Sequence, residues 1–272
     1  MILLNGQWQG GADVVTLNGL REIKELYLQH VSYREVPICE DTELEVKDKI
    51  IGLEPIKIQT ANALSILKEE KPTTLFTVGG GCDADVASIA YLNQLYKGDL
   101  CVLWFDAHGD INSPEESSSH LFYGMPARAL LSGCRTAFGK LLPDPLAPEQ
   151  FIQVGGRAFD EAEQRYIRQQ GIAHVPWNSK NLCDAVLAKV RLSGKTHCYI
   201  HLDLDVLDPK LFPYVPVPEK DGLSSELLLN TLKQLFNTFS VVGYGLYEFA
   251  PQNKKIAELE YLLNLGLEYF RL

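Results

Sequence analysis

Several short runs of this chain are apolar at almost every position, and each leads into a turn or into acidic residues. The clearest runs are 73–81 (TTLFTVGGG), 99–108 (DLCVLWFDAH), 196–209 (THCYIHLDLDVLDP) and 240–251 (SVVGYGLYEFAP). A strand that is apolar on both faces is typical of a parallel sheet covered by helices on each side. Amphipathic stretches with helical spacing separate these runs, at 84–98, 160–171, 179–194, 224–239 and 254–270.

The alternation of strands and helices predicts the fold class. It indicates an α/β protein, a three-layer α/β/α sandwich around a mostly parallel sheet. Residues 10–72 are less regular but fit the same alternation. No linker divides the 272 residues, so we expect a single domain, 1–272.

The charge balance restricts the classes of partner. The chain has 35 acidic and 25 basic residues, a net charge of −10 at pH 7. A nucleic-acid-binding surface would need a basic face. No apolar run reaches the about 18 residues that a transmembrane helix requires. We therefore expect neither nucleic acid nor a membrane as a partner.

The cysteines and the first residues indicate the compartment. Six widely spaced cysteines form no CxxC pair: Cys39, Cys82, Cys101, Cys134, Cys183 and Cys198. In a chain of this size they predict free thiols in a reducing compartment. The opening MILLNGQWQGG turns polar after four residues, unlike a secretory signal peptide. We expect a cytoplasmic protein.

The motif DAHGD follows one of the apolar strands. An extended backbone there would place Asp106, His108 and Asp110 on one side. A single Asp at a strand end is usually a cap or a turn residue, but three potential ligands at two-residue spacing suggest a metal site.

A second acidic motif, HLDLD, follows another strand and repeats this spacing. The same alternation would place Asp203 and Asp205 on one face together with His201. Glu248 ends the last apolar strand. Because ligands bind beyond the carboxyl ends of parallel strands, we expect these groups to converge.

Such a convergence would bring about five carboxylates together, and repulsion would raise their pKa values and destabilise the fold. Two divalent cations would compensate most of that charge. Oxygen ligands with one imidazole suit Mn²⁺ better than zinc, which favours thiolates. The sequence therefore predicts a two-metal site. We interpret His201 as a structural strand histidine and leave it outside the ligand set.

Four motifs, in order, resemble those of the ureohydrolase family, which includes arginase, agmatinase, guanidinobutyrase and formimidoylglutamase. They are GGGCD (79–83), DAHGDIN (106–112), HLDLDVLDP (201–209) and EFAP (248–251). The likeness runs over residues 73–255. It implies the family's sandwich around about eight strands, two Mn²⁺ ions per subunit, a small guanidino substrate and a homo-oligomer, either a trimer or a hexamer.

The resemblance also implies a ligand set. The ligands would be Asp106 and Asp203 as bridging carboxylates, Cys82 and Asp110 at one metal position, and His108 and Asp205 at the other. Asp205 would in addition accept a hydrogen bond from the attacking water and pass a proton to the leaving amine. Glu248 would hold the guanidinium group flat. The catalytic set then comprises Asp205, Glu248, His108 and the residue at position 123, a tyrosine.

Further residues match the family's contacts to the head of an amino-acid substrate. Asn112, Ser117 and Ser119 match the loop that holds the α-carboxylate. In GGRAFDEAE (155–163), Asp160 and Glu163 match the residues that bind the α-amino group. The alternative for this pair is the first turn of a helix, where acidic side chains are favoured in any case.

The first departure from the family pattern is Cys82, which stands where the family has a histidine ligand; Gly81 replaces the acid before it. A nearby dication would lower the thiol pKa and allow ligation, although thiolate suits Mn²⁺ poorly. The alternative is a small buried side chain without a ligand. Asp83 and Asp85 lie nearby and could assist, although Asp85 fits the first turn of the following helix.

The second departure is Tyr123, which occupies the position of a histidine thought to shuttle protons in arginases. His120 could replace it if the loop bends differently. A branch of the family that cleaves hydroxyarginine similarly lacks both histidines and reads NTPE where this chain reads NSPE (112–115).

The predicted function is Mn²⁺-dependent cleavage of the guanidino C–N bond of arginine or of a derivative such as N-hydroxyarginine. The products would be urea or a substituted urea, and ornithine. The alternatives are another ureohydrolase activity (agmatinase, guanidinobutyrase or formimidoylglutamase) or a non-catalytic relative that binds metal or an amino acid. A zinc deacetylase of related architecture fits the paired acidic motifs less well.

Overall fold

The computed structural model describes residues 1–40, 43–131, 135–138 and 141–272. Its strands are β1 (Ile2–Asn5), β2 (Arg34–Glu35), β3 (Val46–Lys47), β4 (Ile50–Ile51), β5 (Leu75–Gly79), β6 (Leu100–Phe105), β7 (Phe151–Val154), β8 (Ala173–Val175), β9 (His197–Asp203) and β10 (Ser240–Tyr247). Its helices are α1 (Val15–Tyr27), α2 (Leu53–Glu70), α3 (Val86–Leu95), α4 (Pro126–Leu130), α5 (Arg135–Phe138), α6 (Glu161–Gln170), α7 (Leu182–Ser193), α8 (Ser225–Thr238) and α9 (Ala257–Phe270).

Eight of the strands form one sheet in the order β2-β1-β5-β10-β9-β6-β7-β8. Every neighbouring pair in this sheet is parallel. The predicted α/β fold with a parallel sheet of about eight strands is thereby confirmed. A separate antiparallel ribbon of β3 and β4, in the less regular part of the chain, was not predicted.

Two apolar cores cover the two faces of the sheet, which explains why the strands are apolar on both faces. One core joins the sheet to α1, α7, α8 and α9. The other joins it to α2, α3 and α4. Along β6, Cys101, Leu103 and Phe105 belong to the first core, whereas Val102 and Trp104 belong to the second. The structure is therefore a three-layer sandwich.

The predicted extended backbone is present for His201 and Asp203, which lie on β9, but the prediction was wrong for the first motif and for Asp205, because both strands end earlier. Strand β6 ends at Phe105 and β9 at Asp203. In each case an Asp side chain accepts a hydrogen bond from the N–H two residues later, as Asp106 and Asp203 do. Such turns draw the backbone out of the extended conformation. Asp110 has φ +53°, and Asp205 lies on a 3₁₀ turn.

Two further observations complete the fold. Among the described residues, no helix has the length and apolar character needed to cross a membrane. Cys82, Cys101, Cys183 and Cys198 are free thiols, as predicted. The cysteine at position 134 lies outside the described residues.

Candidate metal centre

The predicted site residues converge because four consecutive strands of the sheet, β5, β10, β9 and β6, end at one edge. These strands lead respectively to Cys82, Glu248, the pair Asp203 and Asp205, and the 106–110 motif. A cavity of about 150 Å³ lies above this edge. The metal-ligand candidates that line it are Cys82, His108, Asp110, Asp203 and Asp205.

Asp106 is fully buried and forms the floor of the cluster. Its carboxylate accepts hydrogen bonds from the Trp104 indole N–H at 2.9 Å and from the backbone N–H of His108 at 2.6 Å. His108 Nδ1 lies 2.7 Å from Asp205 Oδ2 and 3.6 Å from Asp106 Oδ1. Burial lowers the pKa of His108, but hydrogen bonds to Asp106 and Asp205 outweigh it and raise the pKa above the ordinary value.

Asp203 and Asp205 are held in place by backbone donors. Asp203 Oδ1 accepts from the N–H of Asp205 at 2.7 Å, and Asp205 Oδ1 accepts from the N–H of Ala107 at 2.9 Å. Asp203 Oδ2 lies 3.0 Å from Cys82 Sγ. Such donors orient carboxylates before a ligand binds, as outer-shell groups do at metal sites.

The electrostatics of the cluster favour a cation. Burial, reinforced by repulsion from neighbouring carboxylates, raises the pKa of Asp203 and Asp110 well above their usual range. Burial and the charge of Asp203 likewise raise the pKa of the Cys82 thiol. A bound dication would reverse these shifts, because it stabilises the charged form of each ligand.

The donor atoms fit this requirement. Three groups of donors each lie within 4.8 Å of one another: Asp106 with His108 and Asp205, Cys82 with Asp203 and Glu248, and Cys82 with Asp106 and His201. Asp106 belongs to two of the groups, which suits a carboxylate shared between two metal positions. The residues present therefore suit divalent cations.

Glu248 is held in a strained backbone conformation at the rim of the cavity. Its φ is +64°, and its N–H donates to the carbonyl of Gly80 at 3.0 Å. Its Oε1 accepts a hydrogen bond from the backbone N–H of Cys82 at 3.0 Å. Burial raises its pKa to about 8. Strain of this kind persists mainly at functional sites, where the surrounding structure enforces it.

The residues expected to bind the substrate head bind mainly one another. Asp160 and Glu163 form a capping box at the start of α6, each accepting from the other's backbone N–H at 2.9 and 3.0 Å. Asp160 Oδ2 accepts from the Asn112 amide at 2.7 Å. Within the described chain, none of these three lines the cavity. Asp160 and Glu163 thus lie at the first turn of a helix, the alternative that the sequence left open. The substrate role of these two acids and of Asn112 stays a prediction.

The loop between Asn112 and Tyr123 turns back towards the cavity. The hydroxyls of Ser117 and Ser119 lie 3.4 Å apart, and Ser117 accepts from the N–H of His120 at 3.1 Å. Tyr123 lines the cavity, whereas His120 is not part of the lining formed by described residues. Burial raises the pKa of the Tyr123 phenol, so it keeps its proton at neutral pH.

Several residues that the sequence did not suggest also belong to the site. They line the cavity from the loop before α1 (Asp13), from the first turn of α1 (Thr16) and from the segment after β9 (Pro216 and Val217). No motif marks these positions. His201 joins the metal-ligand candidates, and one signal for it was available, since residue 201 shares the alternation of 203.

Arg157, within the 155–163 stretch, supports the turn that carries Asp205. It donates to backbone carbonyls of that turn and of the 219–220 segment: Asp205 at 2.8 Å, Lys220 at 2.9 Å, Glu219 at 3.2 Å, Leu207 at 3.3 Å and Val206 at 3.4 Å. A planar guanidinium group reaches several acceptors at once, which the single ammonium of lysine does not.

We expect Arg157→Lys to lower the free energy of unfolding by about 1–3 kcal/mol, since each hydrogen bond to a charged group contributes that order of energy. Urea denaturation measures the change. The matched control is Arg165→Lys, whose exposed ion pair with Glu116 contributes about 0–1 kcal/mol. Equal effects at the two positions would contradict the role given to Arg157.

Carboxylates, an imidazole and a thiol that meet at the carboxyl edge of a parallel sheet define an α/β metalloenzyme. The chain belongs to the arginase family, whose sequence model matches residues 12–260. The match begins well before residue 73, where the sequence motifs first became recognisable.

Relatives at the sequence level are arginases. The arginase of Coccidioides posadasii is 29% identical over 191 residues, which are 65% of this chain and 59% of that protein. The arginase of Staphylococcus aureus (strain MRSA252) is 27% identical over 218 residues, 78% of this chain and 70% of that protein. The first alignment therefore spans less than two thirds of the relative's length.

Solved structures show the same fold at lower identity. Arginase from Entamoeba histolytica in complex with L-ornithine has a TM-score of 0.86 at 19% identity, covering 100% of this chain and 97% of that one. Arginase from Bacillus caldovelox has a TM-score of 0.82 at 21%, covering 98% and 96%. Formimidoylglutamase from Bacillus subtilis has a TM-score of 0.74 at 17%, covering 100% and 86%.

Proposed function

We propose that the protein hydrolyses the guanidino C–N bond of arginine or of an arginine derivative, with N-hydroxyarginine as the favoured substrate. The products are urea or hydroxyurea, and ornithine. The observation that carries the proposal is the meeting of Asp106, His108, Asp203 and Asp205 under a cavity that Glu248 also lines. Two similar proteins are arginases, and the similar structure from Entamoeba histolytica is a complex with L-ornithine. Both observations support arginine or an arginine derivative as the substrate.

The residues have separate tasks in this proposal. Asp106, His108 and Asp205 hold a divalent cation, for which Mn²⁺ suits the oxygen-rich donors, and Cys82, Asp110 and Asp203 contribute to a second position. When bound, the cations supply a water that is activated for attack on the guanidinium carbon.

Glu248 and Asp205 act on the substrate side. The Glu248 carboxylate pairs with the guanidinium group and fixes its plane, since bidentate pairs of this kind are geometrically specific. Asp205 accepts a hydrogen bond from the attacking water and passes its proton to the leaving amine. Asn112, Ser117 and Ser119 hold the α-carboxylate, and the acids of the α6 capping box face the α-amino group.

Tyr123 explains the preference for an activated guanidine. An imidazole exchanges protons near neutral pH, whereas a buried phenol with a raised pKa does not. Both substrates release the same amine, ornithine, but the guanidine of N-hydroxyarginine is less basic than that of arginine. N-hydroxyarginine can therefore give up a proton of its own nearer neutral pH, and it depends less on a proton carrier in the protein.

The metal-loaded protein should therefore release hydroxyurea from N-hydroxyarginine with a higher kcat/KM than urea from arginine. Agmatine and guanidinobutyrate, which lack the α-amino-acid head, should be poorer still. Colorimetric assays of urea and hydroxyurea measure these rates. Inactivity on all four compounds, with metal bound, would exclude the proposal, and a preference for agmatine would remove the capping-box acids from substrate binding.

Tyr123→His tests the reason for the preference. We expect it to raise kcat on arginine about 10-fold or more, since general acid–base groups contribute about 10²–10⁴-fold. The rate on N-hydroxyarginine should change much less. The control is Tyr123→Phe, which keeps the ring and should leave the rate on N-hydroxyarginine nearly unchanged. A large loss in that control would mean that the phenol itself takes part.

A further inference from the structure

His201 lies beside Cys82 and Asp106 in the cluster of donor atoms, although the sequence indicated only a structural strand histidine. Its backbone pairs with Trp104 on one side and Gly245 on the other, and its side chain is fully buried. The imidazole stacks on the Trp104 ring at 3.4 Å between centroids and on the Tyr247 ring at 4.8 Å. Rings on both faces fix the plane of the imidazole, so only its edge nitrogens are available for polar contacts.

The two nitrogens of His201 have different partners. Nδ1 lies 2.8 Å from Asp85 Oδ2, and Asp85 is also fully buried and accepts from the hydroxyl of Tyr199. Nε2 lies 3.2 Å from Cys82 Sγ. Because a carboxylate only accepts hydrogen bonds, Nδ1 is the nitrogen that donates to Asp85, and Nε2 is the nitrogen that faces Cys82 and could bind a metal.

This environment is built specifically for the pair formed by His201 and Asp85. Asp85 stands at the start of α3 but makes no side-chain cap there, so its carboxylate does not serve the helix. Gly245 provides the space, because a Cβ at that position would lie 2.8 Å from Asp85 Oδ2 and 2.5 Å from the Tyr247 ring. A carboxylate that orients a histidine from the far nitrogen is the usual second shell of a metal-bound histidine.

The donors around Cys82 have the spacing of a metal site. Donor atoms of Cys82, His201 and Asp106 all lie within 4.8 Å of one another. Cys82 Sγ is 3.2 Å from His201 Nε2 and 3.0 Å from Asp203 Oδ2. Sulfur and nitrogen ligands of a tetrahedral zinc ion lie about 3.5 Å apart, given bonds of about 2.3 and 2.0–2.1 Å. Small movements would therefore complete the coordination.

We propose that His201 and Cys82 together supply the nitrogen and sulfur ligands of one metal position, that Asp85 orients the imidazole, and that this position selects zinc over manganese. The proposal rests on the metal-dependent hydrolase function and specifies its metals. One position, with Asp106, His108 and Asp205, has hard oxygen ligands and one imidazole. The other has a thiolate and an imidazole, ligands that favour softer cations. The two positions thus differ in the softness of their ligands, and the preference for zinc should be stronger at the second.

Competition for metals tests this selectivity on the full-length chain. The metal-free protein is dialysed against equal concentrations of Zn²⁺ and Mn²⁺, and bound metal is measured by mass spectrometry. We expect the ratio of bound zinc to bound manganese to be markedly higher in wild type than in Cys82→Ser, because N and O ligands alone also favour zinc over manganese and only the difference reports the thiolate. Two manganese ions in wild type would overturn the proposal, as would unchanged zinc in Cys82→Ser.

Cobalt reports the ligands directly and needs no substrate. Co²⁺ bound at the proposed position should show the near-ultraviolet charge-transfer band of a cobalt–thiolate bond. Cys82→Ser should abolish the band, and Asp85→Asn, which keeps the side-chain size, should weaken cobalt binding there about 10–100-fold. The control is Cys198→Ser, a buried cysteine on β9, the strand that carries His201, which should keep the band.

The outcomes separate this proposal from the hydrolase function. Two bound cobalt ions without the band would overturn the ligand assignment, whether or not the protein is active. Bands and zinc as expected, without hydrolysis, would support the ligands and reject the hydrolase. Activity that survives full metal removal but not Cys82→Ser would overturn the proposal in favour of a cysteine nucleophile activated by His201.

Discussion

Asp203→Asn should abolish metal binding at the position that Asp203 shares with Cys82. It should also reduce activity by more than about 10³-fold, well beyond the 10–100-fold that loss of an outer-shell partner costs. Asp203 faces Cys82 Sγ at 3.0 Å and lies beside Asp205, so its charge serves both parts of the centre. Asparagine keeps the shape and the oxygen that accepts from Asp205. The change therefore removes the charge and little else.

The same substitution should affect stability with opposite signs in the presence and absence of metal. In wild type, metal at 1,000 times its dissociation constant contributes about 4 kcal/mol, or about 10 °C in Tm. The variant should lose that gain. Without metal it should be the more stable protein, because burial and repulsion raise the pKa of Asp203 and make its charged form unfavourable.

Thermal unfolding with and without chelator measures the change in Tm in each condition. Isothermal titration calorimetry of the metal-free protein measures how many metal ions bind. The control is Asp208→Asn, in the loop that follows β9. Its carboxylate accepts from the N–H of Lys210 and does not belong to the donor groups found among the described residues. It should leave the metal-dependent change in Tm intact. A variant at 203 that binds two metals normally would show that Asp203 is not a ligand.

The fold was predictable because burial on both faces leaves a direct trace in the sequence. A strand such as β6 has no polar face, and only a covered parallel sheet accommodates it. The ends of the strands were not predictable in the same way. Asp106 and Asp203 bend the backbone through their own side chains, and such local hydrogen bonds do not alter the hydrophobic pattern.

The composition of the site was predictable in part, for a related reason. Strand ends of a parallel sheet meet at one edge, so acidic motifs after separate strands could be expected to converge. Which strands are neighbours depends on the order of the sheet, and the chain order does not give it. The contact between Cys82 and His201 depends on that order. Cys82 follows β5, His201 lies on β9, and these two strands flank β10 in the sheet. The sequence alone therefore does not indicate that these two residues meet.

Glu248→Gln should reduce kcat/KM by about 10²-fold while the metal content stays at the wild-type level. A charge-assisted hydrogen bond contributes about 1.5–3 kcal/mol, and glutamine keeps the oxygen that accepts from the N–H of Cys82 at 3.0 Å. The loss should appear mainly for substrates with a cationic guanidinium group. It should be smaller for N-hydroxyarginine, whose guanidine is less basic.

Glu248 also stands within 4.8 Å of the donor atoms of Cys82 and Asp203, so a role as a metal ligand is the competing interpretation. Metal analysis of the Gln variant separates the two, since a lost ligand would release metal and a lost substrate contact would not. The control is Glu219→Gln, an exposed carboxylate 3.7 Å from His108 Nε2, for which we expect little change in either quantity. Because φ at position 248 is +64°, the side chain is aimed by strained backbone, and that strain is consistent with a group whose direction matters for the substrate.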